Sequence, residues 1–324
     1  MEKKQERNED DDFSESFLQT LEQQTNWDGS PMVKYRGSWY LKIFFRSVLS
    51  SHKHFKARDS DIILSTLPKS GTTWLKALAF SIVNRGTICC DIGQNPLLTC
   101  NPHTLVPFLV MFEENNPHEF DQPTDPRIFA THVPFKALAD SIRESTCKII
   151  YVCRNPLDQF ISICHFLTEN KLEKDHAGPL GLDESFDMFC EGTHPYGPFW
   201  EHMTGYWNAH LENPGKVLFI KYEDMQEDIV FNVKKIADFL GCPFSSEEEE
   251  RGIVEEISKM CSFQSLKNVD KNGYSFNGLF KNNTFFRNGR VGDWTNYLTP
   301  AMAERMKKLV EIKFQGSPGL TFKI

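Results

Sequence analysis

One short stretch, Leu67-Pro68-Lys69-Ser70-Gly71-Thr72-Thr73-Trp74, sets a lysine and three hydroxyl side chains around a single glycine. The apolar run Ile62-Ile63-Leu64 before it reads as a strand, and Trp74 to Phe80 after it as a helix. A glycine turn at a helix N-terminus offers free backbone N–H groups and the positive end of the helix dipole. Lys69 adds a full charge, and Ser70, Thr72 and Thr73 add hydroxyl donors. Together they describe a cradle for an oxyanion. An ordinary strand–turn–helix would account for the proline and glycine, but it has no need of the lysine and hydroxyls.

The loop is not of the GxxxxGK[ST] type, which needs its lysine directly after the last glycine. Here the lysine precedes the only glycine by two residues. A second strand candidate, Lys148 to Cys153, ends in Arg154 where a magnesium-binding Asp would be expected. A guanidinium at a strand end suits bidentate contact with a phosphate. Ser162 lies in the helix that follows, and spacing alone does not bring it and Arg154 onto one phosphate. Later, Phe285-Phe286-Arg287-Asn288-Gly289-Arg290-Val291-Gly292-Asp293-Trp294 combines aromatics, two arginines and glycines. It reads as a surface turn or as a lid over an anionic nucleotide. His132 follows the short strand Arg127 to Thr131; as one of ten histidines, it is by sequence alone more often structural than catalytic.

These residues need a scaffold. Val217 to Ile220 is a further strand candidate, and Ile229 to Leu240 a helix stopped by Gly241. The acidic run Glu247–Glu250 reads as a solvated helix start. Apolar strands alternating with helices predict an α/β fold, a central parallel sheet covered by helices on both faces. Ligands in such sheets sit beyond the carboxyl ends of the strands. Residues 1–30 are polar and read as a flexible segment, with one domain from 31 to 324.

Composition narrows the function classes. The 324 residues carry 36 Lys and Arg against 44 Asp and Glu, a net charge of −8, which does not suit wholesale nucleic-acid binding. Nine cysteines without a CxxC pair support neither a disulfide framework nor a zinc site. The N-terminus shows no signal peptide, and the longest apolar run, Val106 to Phe112, falls short of the ~20 residues that span a bilayer. The expectation is a cytoplasmic protein that binds no membrane. The 27 phenylalanines fit a core or a pocket for flat apolar ligands.

TLPKSGTTW, the CRNP segment with its later serine, KYEDM and FFRNGRVGDW occur in an order that resembles the soluble cytosolic sulfotransferases, closest to the plant branch. The resemblance runs from about residue 30 to the C-terminus. It implies transfer of a sulfuryl group from 3′-phosphoadenosine 5′-phosphosulfate (PAPS), without a metal, to the hydroxyl of a small molecule. Lys69, Ser70, Gly71, Thr72, Thr73 and Trp74 match the family's 5′-phosphosulfate loop; Arg154 and Ser162 match the pair on the 3′-phosphate. Phe285, Arg287, Asn288 and Gly289 match the segment that closes over it. Tyr222, Trp74, Phe263 and Cys261 match the surroundings of the base, Cys261 standing where many relatives have Thr or Ser. The same match makes His132 the general base and Lys69 the group stabilising the leaving oxygen, with Ser70 restraining Lys69. Among plant-type acceptors, a flavonoid or other phenolic is the first expectation; brassinosteroids, hydroxyjasmonates and desulfo-glucosinolates are the others.

Three positions depart from the family pattern. Asn288 replaces the lysine of RKG, with Arg290 a candidate to compensate. Ala130 stands where animal relatives often carry Lys. Of the animal dimerisation pattern KxxxTVxxxE only Thr299 and Glu304 remain, so a monomer or weak homodimer is expected. Two rival readings are a nucleotide-dependent phosphotransferase of related fold and a catalytically weak PAPS-binding relative.

Overall fold

Residues 15–88, 95–111, 124–170, 172, 180–276 and 278–324 are described by the structure, a computed structural model. A helix, α1 (Glu15–Thr20), leads into an antiparallel meander of β1 (Glu22–Thr25), β2 (Pro31–Tyr35) and β3 (Ser38–Leu41). The main sheet follows: β4 (Ile62–Thr66), β5 (Ile128–Thr131), β6 (Lys148–Cys153) and β7 (Val217–Lys221), all parallel, in the order β5-β4-β6-β7. Every residue of β4 and β5 is buried, which is why these strands read as unbroken apolar runs rather than alternating ones.

The expected flexible segment is too long. Residues 15–30 are structured: β1 pairs with β2, Glu22 opposite Lys34 and Thr25 opposite Pro31. Leu18 and Trp27 are each 2% exposed, and Trp27 meets Phe160 edge-on. Composition hid this because β1 is Glu-Gln-Gln-Thr, exposed throughout, and the segment is anchored by a few scattered apolar residues, Phe17, Leu18, Leu21 and Trp27. Residues 1–14 lie outside the described part.

Helices cover the sheet. After α2 (Lys42–His54), the chain leaves β4 into α3 (Thr72–Ile88) and the single turn α4 (Pro102–Leu105). After α5 (Asp140–Glu144) and β6 comes α6 (Pro156–Asn170). The helices α7 (Leu182–Cys190) and α8 (Phe199–Glu212) precede β7. Tyr222 opens α9 (Tyr222–Glu227), followed by α10 (Ile229–Phe239), where Gly241 at φ +74° ends the helix as its sequence implied. Ser245 caps α11 (Ser246–Glu250) with Glu248 in a capping box, then α12 (Ile253–Met260), α13 (Phe263–Lys267) and α14 (Pro300–Lys313) complete the chain.

The order of the sheet decides where a ligand can sit. From β4 the chain moves to β5 on one side and β6 on the other, so the strand order reverses at β4. Register sets Ser65 beside both Thr131 and Tyr151, which carries the loop after β4, His132 after β5 and Arg154 after β6 to one end of the sheet. A crevice outside the carboxyl ends, at such a reversal, is the expected ligand position. At the opposite end, Arg127 and Asp61 form a buried two-bond ion pair, 2.8 Å and 2.5 Å, that locks β5 to β4.

Candidate functional site

The turn from β4 into α3 is wound tightly enough that Lys69 adopts φ +67° and Gly71 φ +105°. For a lysine this left-handed conformation costs roughly 1–2 kcal/mol. Gly71 has no alternative: a Cβ there would lie 2.9 Å from Cδ2 of Tyr222. Lys69 Nζ donates to the carbonyls of Thr284 (3.2 Å) and Phe285 (3.4 Å) and lies 4.5 Å from the centre of the Phe166 ring. Burial, and then the neighbouring Arg154 charge, lower its pKa from 10.5 to about 7. The hydroxyls diverge in use. Thr72 Oγ1 meets Thr66 Oγ1 at 2.6 Å and Thr73 Oγ1 meets His103 Nε2 at 2.9 Å, whereas Ser70 Oγ is buried without a hydrogen-bond partner. The expected restraint of Lys69 by Ser70 is therefore replaced, in this state, by two backbone carbonyls.

His132 sits immediately beyond β5, its Nδ1 2.7 Å from the carbonyl oxygen of Thr66. A carbonyl only accepts, so Nδ1 carries the proton and Nε2 keeps its lone pair. Phe108 and Tyr196 flank the ring, at centroid distances of 4.8 Å and 5.5 Å. Burial lowers its pKa from 6.5 to about 3, against the opposing pull of the Thr66 hydrogen bond. The imidazole is neutral at any ordinary pH.

Arg154, 5% exposed, donates to the carbonyls of Arg290 (2.9 Å) and Lys69 (3.4 Å), with its guanidinium 4.6 Å from the Tyr222 ring centre. The Tyr222 hydroxyl donates to the Gly289 carbonyl at 2.9 Å, and Trp74 packs edge-on against its ring. Arg287 and Asn288 both reach Asp293, the arginine in an ion pair and the amide at 2.7 Å. A Cβ on Gly289, at φ +67°, would stand 2.6 Å from Phe263. Cys261 is fully buried, its thiol pushed up to about 12 by burial and 3.5 Å from Ser81 Oγ. Arg290 is exposed and does not line the cavity; only its carbonyl enters the site, so its expected compensation for Asn288 is not what this arrangement shows.

All of the expected residues except Ser70 line one cavity, and Ser70 lies just behind its wall. One end is polar, built by the β4–α3 loop, Arg154, Ser162 and the Arg287–Gly289 segment. The other is aromatic, walled by Phe44, Phe108, Phe166, Tyr196, Phe276 and Phe280. His132 and Lys69 both line this cavity. Phe108, Val110 and Met111 of the apolar run Val106 to Phe112 line it, while the aromatic pairs Trp39-Tyr40 and Phe199-Trp200 are core. Phe112 lies outside the described residues.

Sequence reasoning missed three residues. Asp158 is fully buried and accepts from the backbone N–H groups of Gly292 (2.7 Å) and Trp294 (3.0 Å), which fixes the late glycine-rich segment against α6. His103 lines the cavity beside Thr73, and Lys76 meets it from behind. The available signal was a lone lysine inside the apolar run of α3. Among the described residues no group of three or more His, Cys, Asp or Glu is placed to hold a metal, and no helix is long and apolar enough to cross a membrane.

The polar end fits an anionic nucleotide. Buried polar atoms without partners gather there: Ser70 Oγ, Trp74 Nε1, Arg154 Nε and Arg287 Nε. Buried donors of this kind are costly to leave unmatched. The bare Cα positions of Gly71 and Gly289 keep Tyr222 and Phe263 close without a clash.

Comparison with known proteins gives the same direction. Residues 59–318 match the model of the sulfotransferase domain. Cytosolic sulfotransferase 15 of Arabidopsis thaliana is 41% identical over 96% of this chain and 87% of its own length. A crystal structure of an Arabidopsis thaliana sulphotransferase superposes with a TM-score of 0.76 at 36% identity, covering 98% of both chains. Mouse sulfotransferase SULT7A1 complexed with PAP gives 0.68 at 27% identity, over 89% of this chain and 96% of that one.

Proposed function

The chain belongs to the sulfotransferase family, and we propose that it transfers the sulfuryl group of PAPS to a hydroxyl of a small, flat, apolar acceptor in the cytoplasm, as the name of its cytosolic plant relative suggests. The observation that carries this reading is the shared wall: Lys69 and His132 face one cavity whose polar end holds Arg154 and Arg287 and whose other end is aromatic.

When bound, PAPS supplies a sulfuryl group attached to a phosphate leaving group. Around it the chain's own residues divide the work. The loop from Gly71 to Trp74, at the start of α3, turns backbone N–H groups toward the 5′-phosphate. Arg154 and Ser162 hold the 3′-phosphate, with Arg287, Asn288 and Gly289 closing over it and Trp74, Tyr222, Cys261 and Phe263 around the base. His132 accepts the acceptor hydroxyl's proton at Nε2, the nitrogen left free by the bond to Thr66. Lys69 places its ammonium where negative charge grows on the oxygen between sulfur and phosphorus. The anion itself favours the charged form of Lys69, reversing the effect of its cationic neighbours.

A flavonoid or other phenolic suits the phenylalanine-rich end best, because ring stacking rewards planar aromatic guests. Thr299, a remnant of the animal dimer pattern, and Pro300, which replaces its valine, serve here as N-cap and first residue of α14, which supports a monomer or weak homodimer. Thermal shift with adenosine 3′,5′-bisphosphate, ATP, and ATP with magnesium tests the nucleotide, and turnover of a hydroxylated-metabolite panel with labelled PAPS tests the acceptor. Stabilisation by the bisphosphate alone, with sulfated phenolic product, is expected. Stabilisation only by ATP with magnesium would make the protein a phosphotransferase.

A further inference from the structure

Lys76 lies one turn along α3 from Thr73, the lone charge between Trp74 and Phe80. It is fully buried, and among the described residues no carboxylate pairs with it. Its ammonium group meets His103 Nδ1 at 3.1 Å and stands 3.5 Å from the centre of the Phe108 ring. A buried cation with so little compensation is expensive unless it serves something nearby. His103 is held by α4, where the Asn101 side chain caps the turn by accepting from the His103 N–H at 3.0 Å. Its Nε2 meets Thr73 Oγ1 at 2.9 Å, and Thr73 lines the cavity.

We propose that Lys76 is a positioning residue which, through His103, fixes the Thr73 hydroxyl as a hydrogen-bond donor toward the phosphosulfate end of the bound nucleotide; this rests on the reading of the cavity as a PAPS site. With Lys76 charged, as a bound anion favours against the burial that pushes its pKa well below 10.5, the chemistry allows one order of protons. An ammonium group has donors and no lone pair, so His103 Nδ1 accepts from Lys76. The neutral imidazole then carries its single proton on Nε2 and donates it to Thr73 Oγ1. With that oxygen acting as acceptor toward His103, its own proton is left to point into the cavity. Each link polarises the next, so part of the buried charge on Lys76 is expressed at Thr73, one turn away, without the ammonium entering the site.

Two measurements test this. In the wild-type protein, nitrogen-15 NMR of the imidazoles should show His103 protonated at Nε2 and bare at Nδ1; the opposite tautomer, or a doubly protonated ring, would overturn the proposal without any variant. A double-mutant cycle then separates positioning from packing. Lys76→Met keeps most of the volume and removes the charge, and Thr73→Val removes the hydroxyl. Calorimetry with adenosine 3′,5′-bisphosphate should show Lys76→Met weakening binding about tenfold in the wild-type background, the scale of one charge-assisted hydrogen bond. In the Thr73→Val background the same change should cost less than about twofold. Equal costs in both backgrounds would mean that Lys76 acts only through packing. Wild-type protein that binds no bisphosphate would instead defeat the nucleotide assignment, an outcome distinct from bisphosphate binding with an additive cycle.

Discussion

His132 Nδ1 donates to the carbonyl of Thr66 across 2.7 Å, so the strand that leads into the anion loop also sets the tautomer of the imidazole beside it. The proposed general base and the anion loop are thereby fixed to one piece of backbone. His132→Ala should lower turnover by at least ~10², the usual weight of a positioned base, while leaving bisphosphate affinity within about twofold. Because burial holds the free imidazole's pKa near 3, kcat/KM should show no acid limb at 6.5, the ordinary histidine value. Near-native turnover in a folded His132→Ala protein would remove it from the mechanism.

Lys69 gives the nucleotide a pH-dependent affinity. In the free protein burial and the Arg154 charge hold its pKa near 7, whereas a bound polyanion raises it. Above pH 7, binding must therefore take up a proton, and affinity should weaken with rising pH by up to about tenfold per unit. Calorimetry in buffers of different ionisation enthalpy should find uptake approaching one proton near pH 8.5, and none in Lys69→Met. Lys69→Ala should also cut turnover by at least ~10². A pH-independent affinity between 7 and 9 would mean that the lysine is already charged in the free protein.

What the sequence disclosed, and what it withheld, follows from how far each property depends on neighbours along the chain. The strands leading to Lys69 and Arg154 are buried on both faces, so their apolar runs were plain, and the turn at Gly71 is local chemistry. His132 and Arg154 were nameable by type and by resemblance, but only the pairing of Ser65 with both Thr131 and Tyr151 puts them at one sheet end. Asp158 stands in α6, but its partners, Gly292 and Trp294, are more than 130 residues distant. The Lys76–His103 contact likewise joins α3 to α4 across 27 residues of sequence. For the N-terminal meander the difficulty was the reverse, a polar edge strand with almost no pattern to read.

Burial of neutral histidines should make the fold sensitive to acid. His132 and His194 are held near 3 and His202 near 4, in each case chiefly by burial and against hydrogen bonds to backbone that work the other way. Unfolded, each would take up a proton near 6.5. Between those limits the unfolded chain binds more protons, so stability is fully present above pH 6.5 and declines as pH falls toward 3. The slope is up to about 1.4 kcal/mol per pH unit for each histidine. Urea unfolding at intervals from pH 8 to 4 should show a plateau and then a steep fall. A midpoint unchanged down to pH 4.5 would contradict the neutral assignment of all three.

Asp158 offers the clearest way to loosen the nucleotide closure without touching the reacting groups. Its carboxylate is fully buried and receives the N–H groups of Gly292 and Trp294, flanking the Asp293 that holds Arg287 and Asn288. In Asp158→Asn one oxygen is replaced by an amide N–H₂ that faces a backbone donor, so one bond is lost and a repulsive contact takes its place. A hydrogen bond to a buried charge contributes about 1.5–3 kcal/mol, and a loss of that size falls on the closed segment. The bisphosphate should bind at least ~10-fold more weakly and KM for the nucleotide should rise in step. Turnover at saturating nucleotide should change far less, since Lys69 and His132 stand on the β4 and β5 ends rather than on α6. A drop in saturated turnover with unchanged nucleotide KM would show that the segment serves the chemical step and not the grip on the 3′-phosphate.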